Sequence, residues 1–423
     1  MKLPEEKDMH CMKKVFLTVL ITMWMMSSAV YASEVYTTTT DYETGGHGIF
    51  DPAAASVQTG AAIYTDAVAR SFNGKIYVIE RFGADNITVF DKTDLSTPLI
   101  QFSVGAGANP HDILVLNRTK AYVTRYGSAE LLIVNPTDGS QLGTIDLSGF
   151  ADEDGFPEMD LMVAAGGKVF VSLQRLYNFS PTSLSQVVVI DPETDQIIDT
   201  DAATAGVQAI NLTRTNPIDM KYVASVGKIL VAEAADAYST ADGGLEYIDV
   251  STYAAEGILV SEEALGGNLG GAFGAFDMID STEGYAIVAD ALWTTHVVRF
   301  DLAAGTADTV ISGSGYDHAD VLVLNNELIL ADRNFSAPGI RVFDAVDDSE
   351  ITGSPVSTGL PPFCLVEIQD ADDPVALIFG EYSWVTLLFH FIMDDVLSQT
   401  EEGQALVDLY YALSPLIIVL MQM

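Results

Sequence analysis

Seven times along the chain a short apolar run closes on an apolar residue followed by Asp or Asn. The pairs are Phe50-Asp51, Phe90-Asp91, Val134-Asn135, Ile190-Asp191, Ile248-Asp249, Phe300-Asp301 and Phe343-Asp344, spaced 40, 44, 56, 58, 52 and 43 residues apart. A carboxylate or carboxamide at such a position can accept the backbone N–H two residues on and close a hairpin turn. A second marker keeps step with the first. Asp66, Asp112, Asp160, Asp219, Asp277 and Asp320 stand at or near the start of another strand, and Cys364 takes the seventh place, with spacings of 46, 48, 59, 58, 43 and 44. Two markers that drift together around one period describe seven copies of a single supersecondary unit.

Between the markers lie runs such as 75–79 (KIYVI), 121–124 (AYVT), 187–190 (VVVI), 228–232 (KILVA), 321–324 (VLVL) and 328–331 (LILA). Runs of about five residues rich in Val, Ile and Tyr, continuous rather than alternating, predict strands covered on both faces. Four strands per repeat fit a propeller blade, which buries its two faces only by stacking on neighbours around an axis. The expected fold class is all-β, a seven-bladed β-propeller over residues 33–370. Its closure is expected to pair N- and C-terminal strands. Residues 363–368 supply an innermost strand after the sixth complete blade, and 35–41, 48–51 and 56–59 supply the rest of the seventh. After Asp373-Pro374 the pattern turns to long apolar helix-like segments, so 371–423 reads as a short α-helical C-terminal appendage.

The 423 residues carry 59 Asp+Glu against 19 Lys+Arg, a net charge of −40, yet 49% are apolar. The apolar content excludes a disordered acidic tail protein, and the charge argues against a nucleic-acid partner. Lys13-Lys14, an apolar run from 15 to 26 and small residues up to Ala32 describe a cleavable export signal over residues 1–32, with Met12 as an alternative start. Its removal leaves 56 acidic and 15 basic residues, so the acidity belongs to the exported body. The expected location is periplasmic, extracellular or cell-surface. Cys364 is then the sole cysteine, so no intrachain disulfide forms and a large core has to hold the fold.

In a blade, the innermost strand begins on the face where the second strand ends. The six aspartates therefore share a face with the residues closing the second strands, among them Arg81, Arg125, Arg175 and Arg333, four of the nine arginines in the chain. One reading is structural: each Asp accepts backbone N–H or Arg hydrogen bonds and locks the loop entering its blade. The other is a cation site or a cup for a polar ligand at the channel mouth, with a hard divalent cation such as calcium suited to a ring of oxygens. His47, His111 and His318 are expected on the same face, beside Glu158 and Asp317. Asp112, Asp320 and the three histidines are thus candidate metal ligands, and His111 and His318 candidate general bases.

Residues 121–126 (AYVTRY), 131–136 (LLIVNP) and 142–147 (LGTIDL) resemble the YVTN-type β-propeller repeat of surface-layer and related exported proteins, a group with quinoprotein-amine-dehydrogenase-like relatives. The resemblance implies the seven-bladed fold and an exported location, and no single activity, because that superfamily has adhesive, sensory and enzymatic members. The spacing of Gly380, Tyr382, Val385, Leu388, Phe391, Asp394, Leu397, Gly403, Val407 and Tyr410 resembles the C-terminal module of some delta-proteobacterial exported proteins, without the cysteine of its Cys-Phe-Ile box. Glu381 and His390 interrupt the apolar run 375–393, which favours packing on the propeller or a partner over membrane contact.

Several chemistries drop out. There is no C-x-x-C-H haem motif, no G-x-S-x-G elbow or phosphate loop in a strand–helix context, and only Trp24, Trp293 and Trp384 as tryptophans. Residues 266–274 (GGNLGGAFG) read as a long flexible inter-blade loop. The leading expectation is an exported, non-catalytic binding or scaffold propeller that engages a protein, a cell-surface component or a small polar ligand at its mouth. The alternatives are a metal-dependent, lactonase-like hydrolase at the same mouth and a self-assembling surface-layer component.

Overall fold

The Val-, Ile- and Tyr-rich runs pair antiparallel in seven four-stranded sheets, each ordered from the axis outward. In the computed structural model, residues 34–177, 180–236, 242–271 and 276–369 are described; the expected export signal and C-terminal module lie outside them. The first blade is Ala67–Phe72, Lys75–Glu80, Asn86–Asp91 and Ile100–Ser103. The second is Pro110–Asn117, Lys120–Arg125, Glu130–Val134 and Gln141–Asp146. The third, Met159–Ala165, Lys168–Leu173, Gln186–Asp191 and Gln196–Ile198, also carries Ile210–Asn211 on its third strand and a small hairpin, Leu176–Tyr177 with Ser180–Pro181. The innermost strands of the fourth, fifth and sixth blades are Pro217–Val223, Phe276–Met278 and His318–Leu324.

Closure follows the expected route. Pro362–Glu367 is the innermost strand of the seventh blade, and it pairs with Val35–Thr40, which continues outward to Gly45–Asp51 and Ser56–Thr59. Thr38 lies opposite Cys364, and Val35 opposite Glu367. The two ends of the described chain are thereby held in one sheet, and no open sheet edge remains at the seam.

The Asp and Asn markers all fall at the ends of third strands. At six of them the side chain accepts the N–H two residues on: Asp91 from Thr93, Asn135 from Thr137, Asp191 from Glu193, Asp249 from Ser251, Asp301 from Ala303 and Asp344 from Val346. Asp51 reaches one residue further, to Ala54. Each turn sends the chain into an outer strand and so sets the blade width.

Packing energy resides between blades. Seven apolar clusters occupy the seven inter-blade spaces, with Tyr36, Tyr122, Tyr285, Phe50, Phe90 and Phe170 among the largest fully buried side chains. Each such side chain contributes about 1.5–3 kcal/mol through removal from water. As far as Gly271, where the described residues break off, the glycine-rich segment departs from a plain loop. Ser261 caps a single helical turn, Glu262–Leu265, which ends at Gly266 with φ +85°. Buried Glu262 then accepts the N–H of Gly243 and Leu269, and Asn268 bridges to Ala289. A buried carboxyl that gathers backbone donors gives this stretch an ordered path.

Candidate functional site

Four of the six expected aspartates line the channel. Asp112, Asp219, Asp277 and Asp320 each accept a backbone N–H from the innermost strand of the following blade, those of Met162, Phe276, Val323 and Leu365 at 2.8, 3.3, 2.7 and 2.6 Å. Two cations join them. Arg70 forms a two-pronged pair with Asp112 at 2.6 and 2.8 Å, and Lys221 lies 3.2 Å from Asp277. Arg70 sits deep in the molecule but keeps 42% of its side chain open to the channel. Burial pushes the Asp320 carboxyl up to about 7, against the pull of Lys221 and the Leu365 N–H and helped by the Asp219 charge. Burial works against the charge on Lys221, but Asp277, Asp219 and Asp320 outweigh it and hold its pKa above the ordinary value. Cys364 is buried beside this group, and burial followed by the Asp320 charge raises its thiol pKa.

Asp66 and Asp160 occupy other places. Asp66 precedes its strand and binds Arg81. Its carbonyl accepts the N–H of the residue just past the second strand, as do the carbonyls of Asn109, Glu158, Asn216 and Asp317. Asp66 is thus the counterpart of Asn109, and the first-blade counterpart of Asp112 by register is Val68. The signal was present in the distance to the next turn. Asp112 and Asp320 stand five residues before Asn117 and Asn325, whereas Asp66 stands seven before Asn73 and Asp160 six before Gly166.

Asp160 organises the mouth over the second and third blades. Its Oδ1 accepts from His111 Nδ1 at 2.8 Å, and its Oδ2 accepts from Gln174 Nε2 at 2.9 Å. Gln174 Oε1 in turn accepts from the Tyr126 hydroxyl at 2.9 Å, and the Tyr126 ring stacks on His111 at 4.4 Å and 18°. Asn109 Nδ2 lies 3.3 Å from His111 Nε2, while its Oδ1 is taken by the Phe82 N–H, which fixes the direction of the amide. The imidazole that satisfies both neighbours is neutral, with its hydrogen on Nδ1 and its lone pair on Nε2. Asp85 holds Asn109 in turn, accepting its N–H and that of Gly107 at 2.8 and 2.7 Å. Asn109 has φ +47°, a conformation its residue type tolerates.

Acid surrounds this cluster. Glu158 is 3% exposed with φ +46°, and burial, then the charge of Asp154, pushes its carboxyl up to about 8. Arg175, on the neighbouring strand end, has φ +56°. Two bulky residues in left-handed conformations, side by side in one blade, mark a locally strained mouth. Among the described residues, Asp152, Asp154 and Glu158 bring carboxylate oxygens within 4.8 Å of one another, a spacing that can hold a cation. Asp154 also caps its own turn through the Phe156 N–H, and Glu158 accepts from the Leu176 N–H.

The structure does not gather the remaining candidates into one site. His47 is buried, with Nδ1 on the Tyr36 hydroxyl at 2.7 Å and Nε2 on the Leu95 carbonyl at 3.1 Å. A Cβ at Gly60 would lie 2.1 Å from this imidazole, so the position needs glycine. His318 is also buried, and its Nδ1 has no hydrogen-bond partner among the described residues. Burial lowers the pKa of both histidines to about 4. They are core histidines on the seventh and sixth blades, and only His111 reaches the mouth. A shared set of His47, His111, His318, Asp112 and Asp320 is therefore corrected: the carboxylates are spent on backbone donors and the two outer imidazoles on the core. Three of the arginines cap carbonyls: Arg125 those of Glu130 and Val104, Arg175 that of Leu184, and Arg333 those of Pro362 and Thr40. The sequence places Gln174 at the end of a second strand, on the face of the aspartates, but gives no sign of Arg70, Lys221 or Tyr126 as members of these polar groups.

No family model and no curated protein matches the chain. Among solved structures, candidate 6-phosphogluconolactonases from Bacteroides fragilis and Bacteroides uniformis each give a TM-score of 0.57 at 12% identity. They cover 81% and 79% of this chain and 100% and 98% of their own. A protein from Lactobacillus plantarum gives 0.54 at 13% identity, over 80% of this chain and 99% of its own. Identities this low speak to fold alone. What the chain shares with these propeller-like structures is the architecture that its own sheet order describes, a seven-bladed β-propeller.

Proposed function

We propose that the chain is an exported β-propeller that binds a small polar ligand at the mouth over its second and third blades, without transforming it. The observation that carries this reading is the closed set Asn109, His111, Asp160, Gln174 and Tyr126, in which each polar group is held by another and the His111 edge faces outward, with 17% of its side chain exposed. A side chain fixed before the ligand arrives pays little ordering entropy on binding. The acids around it favour a hydroxylated ligand that is neutral or cationic. The YVTN-type resemblance supports the exported setting.

The test is calorimetric titration with three monosaccharides of one skeleton, glucosamine, glucose and gluconate. Glucosamine is expected to bind best and gluconate worst, and His111→Ala is expected to weaken glucosamine at least about tenfold, a charge-assisted or fully buried hydrogen bond being worth that much. Equal binding by the variant, or no binding of any member, sinks the reading. The His111–Asp160 pair also favours a second one, because a neutral imidazole oriented through Nδ1 can take a proton from a water that displaces the Asn109 amide, 3.3 Å away, from Nε2. In that hydrolase reading Asp152, Asp154 and Glu158 would hold the cation. Turnover of simple lactones that His111→Ala abolishes would decide for it.

A further inference from the structure

The face opposite the mouth carries a feature that the propeller architecture does not require. Between the first and second blades, beside the turn joining Ala67–Phe72 to Lys75–Glu80, lies a cavity of about 380 Å³. Its walls are apolar and largely flat, from Phe72, Tyr77, Leu99, Ile100 and Pro136, and its rim is polar, from Lys75, Arg118 and Thr137. The outer strand of the first blade, Ile100–Ser103, begins at this cavity, and Ile100 and its cross-strand partner Val89 both line it. A volume of this size lies in the range of small-molecule sites, about 300–1,000 Å³.

Two polar groups there are left without partners. The chain has nine arginines, all described, and eight of them bind a carboxylate or a backbone carbonyl: Arg70, Arg81, Arg125, Arg175, Arg214, Arg299, Arg333 and Arg341. Arg118 alone makes no side-chain hydrogen bond or ion pair among the described residues, in a protein with a net charge of −40. The neighbouring Lys75 is already neutralised by Asp91 at 2.5 Å. Tyr77, which lines the cavity and is 5% exposed, has a hydroxyl with no hydrogen bond among the described residues. The exposed Arg118 guanidinium and the Tyr77 hydroxyl are therefore both open at the cavity to an acceptor supplied from outside.

We propose that this inter-blade cavity is a second ligand site, distinct from the mouth, for a small organic monoanion with a flat apolar body, its carboxylate held by Arg118 and Tyr77. A planar guanidinium suits a carboxylate, and the aromatic and proline walls suit a ring. In a chain this acidic, an unneutralised arginine against an apolar wall selects for a single negative charge and against the neutral or cationic ligands expected at the mouth.

The test is calorimetry on the full chain with 2-naphthoate and, as its uncharged counterpart, 2-naphthylmethanol. One equivalent of naphthoate is expected to bind, at least about tenfold more tightly than the alcohol, the worth of a charge-assisted hydrogen bond. Arg118→Ala, at an exposed position that the fold does not depend on, is expected to remove that advantage and leave the alcohol unchanged. Thr137→Trp, which fills the cavity from the rim, is expected to abolish both. Equal affinity for the two probes, naphthoate binding unaltered by Arg118→Ala, or no naphthoate binding at millimolar concentration each overturns the proposal.

Discussion

Asp112, Asp219, Asp277 and Asp320 line the channel, and each gives an oxygen to the backbone of the next blade. Asp160, on the third blade, gives both of its oxygens to side chains, His111 and Gln174. The residue type is the same and the strands are equivalent, but the partners separate the two uses. A carboxylate on a neighbour's N–H clasps two blades together and has little left to offer a ligand. A carboxylate on an imidazole and an amide orients groups that can still be reached. Location near the axis is thus a poor guide to function in this fold, and the kind of donor is a better one.

The largest expected difference between the two regions is in stability. Asp112→Ala strips Arg70 of its partner and leaves the buried Met162 N–H unpaired. The expected loss is about 2–3 kcal/mol in denaturant unfolding, below the full cost of orphaning a buried charge because Arg70 can turn to channel water. Asp160→Ala is expected to cost about 1 kcal/mol, since His111 and Gln174 keep other contacts. Equal losses would break the distinction between clasp and positioning group.

The next difference is in pH. The Asp320 carboxyl is raised to about 7 in the folded chain, above its ordinary value of 3.8. The folded state therefore holds the extra proton between about 4 and 7, and its stability falls as pH rises through that window. His47 and His318, lowered to about 4 from 6.5, act in the opposite sense over pH 4 to 6.5. The wild-type curve mixes the two, and the contrast with Asp320→Asn isolates the carboxyl. The variant's thermal midpoint is expected to rise relative to wild type from pH 4 to 7 and then run parallel. Parallel curves throughout that range would mean that Asp320 is already ionised and that Lys221 dominates the channel.

The blade count was legible because a turn that closes through a side chain needs Asp or Asn at a defined place, and that need leaves a mark in the chain at every repeat. The phase of the innermost strands was only partly legible. Register against the second strand is broken by bulges between Pro110 and Asp112, Pro217 and Asp219, and His318 and Val321, so counting from a preceding Pro or Phe slips. The polar sets themselves were not legible. His111 meets Asp160, and Arg70 meets Asp112, only because consecutive blades stack, and nothing local to either residue names its partner. His47 and His318 show the converse: their sequence neighbours suggested a shared face, while the strand geometry turned both into the core.

The smallest effect concerns a third use of carboxylates, at the outer turns. Asp191 accepts the Glu193 N–H through Oδ1 at 2.9 Å and pairs with Lys168 through Oδ2 at 2.9 Å. Asp191→Ala removes both, with an expected loss of about 1 kcal/mol in denaturant unfolding. Asp191→Asn keeps the turn and gives up only the ion pair, which at this half-exposed position is worth about 0.5 kcal/mol or less. The second blade supports this expectation, since Asn135 stands at the equivalent place and accepts the Thr137 N–H at 3.0 Å. Denaturation of the two variants at low and high salt separates the contributions, because screening acts on the Lys168 pair and not on the turn. If Asp191→Asn costs as much as Asp191→Ala at low salt and neither costs anything at high salt, the outer aspartates are held by their charge partners. The repeat marker would then record an ion pair rather than a turn, and Asn135 would be left as the exception.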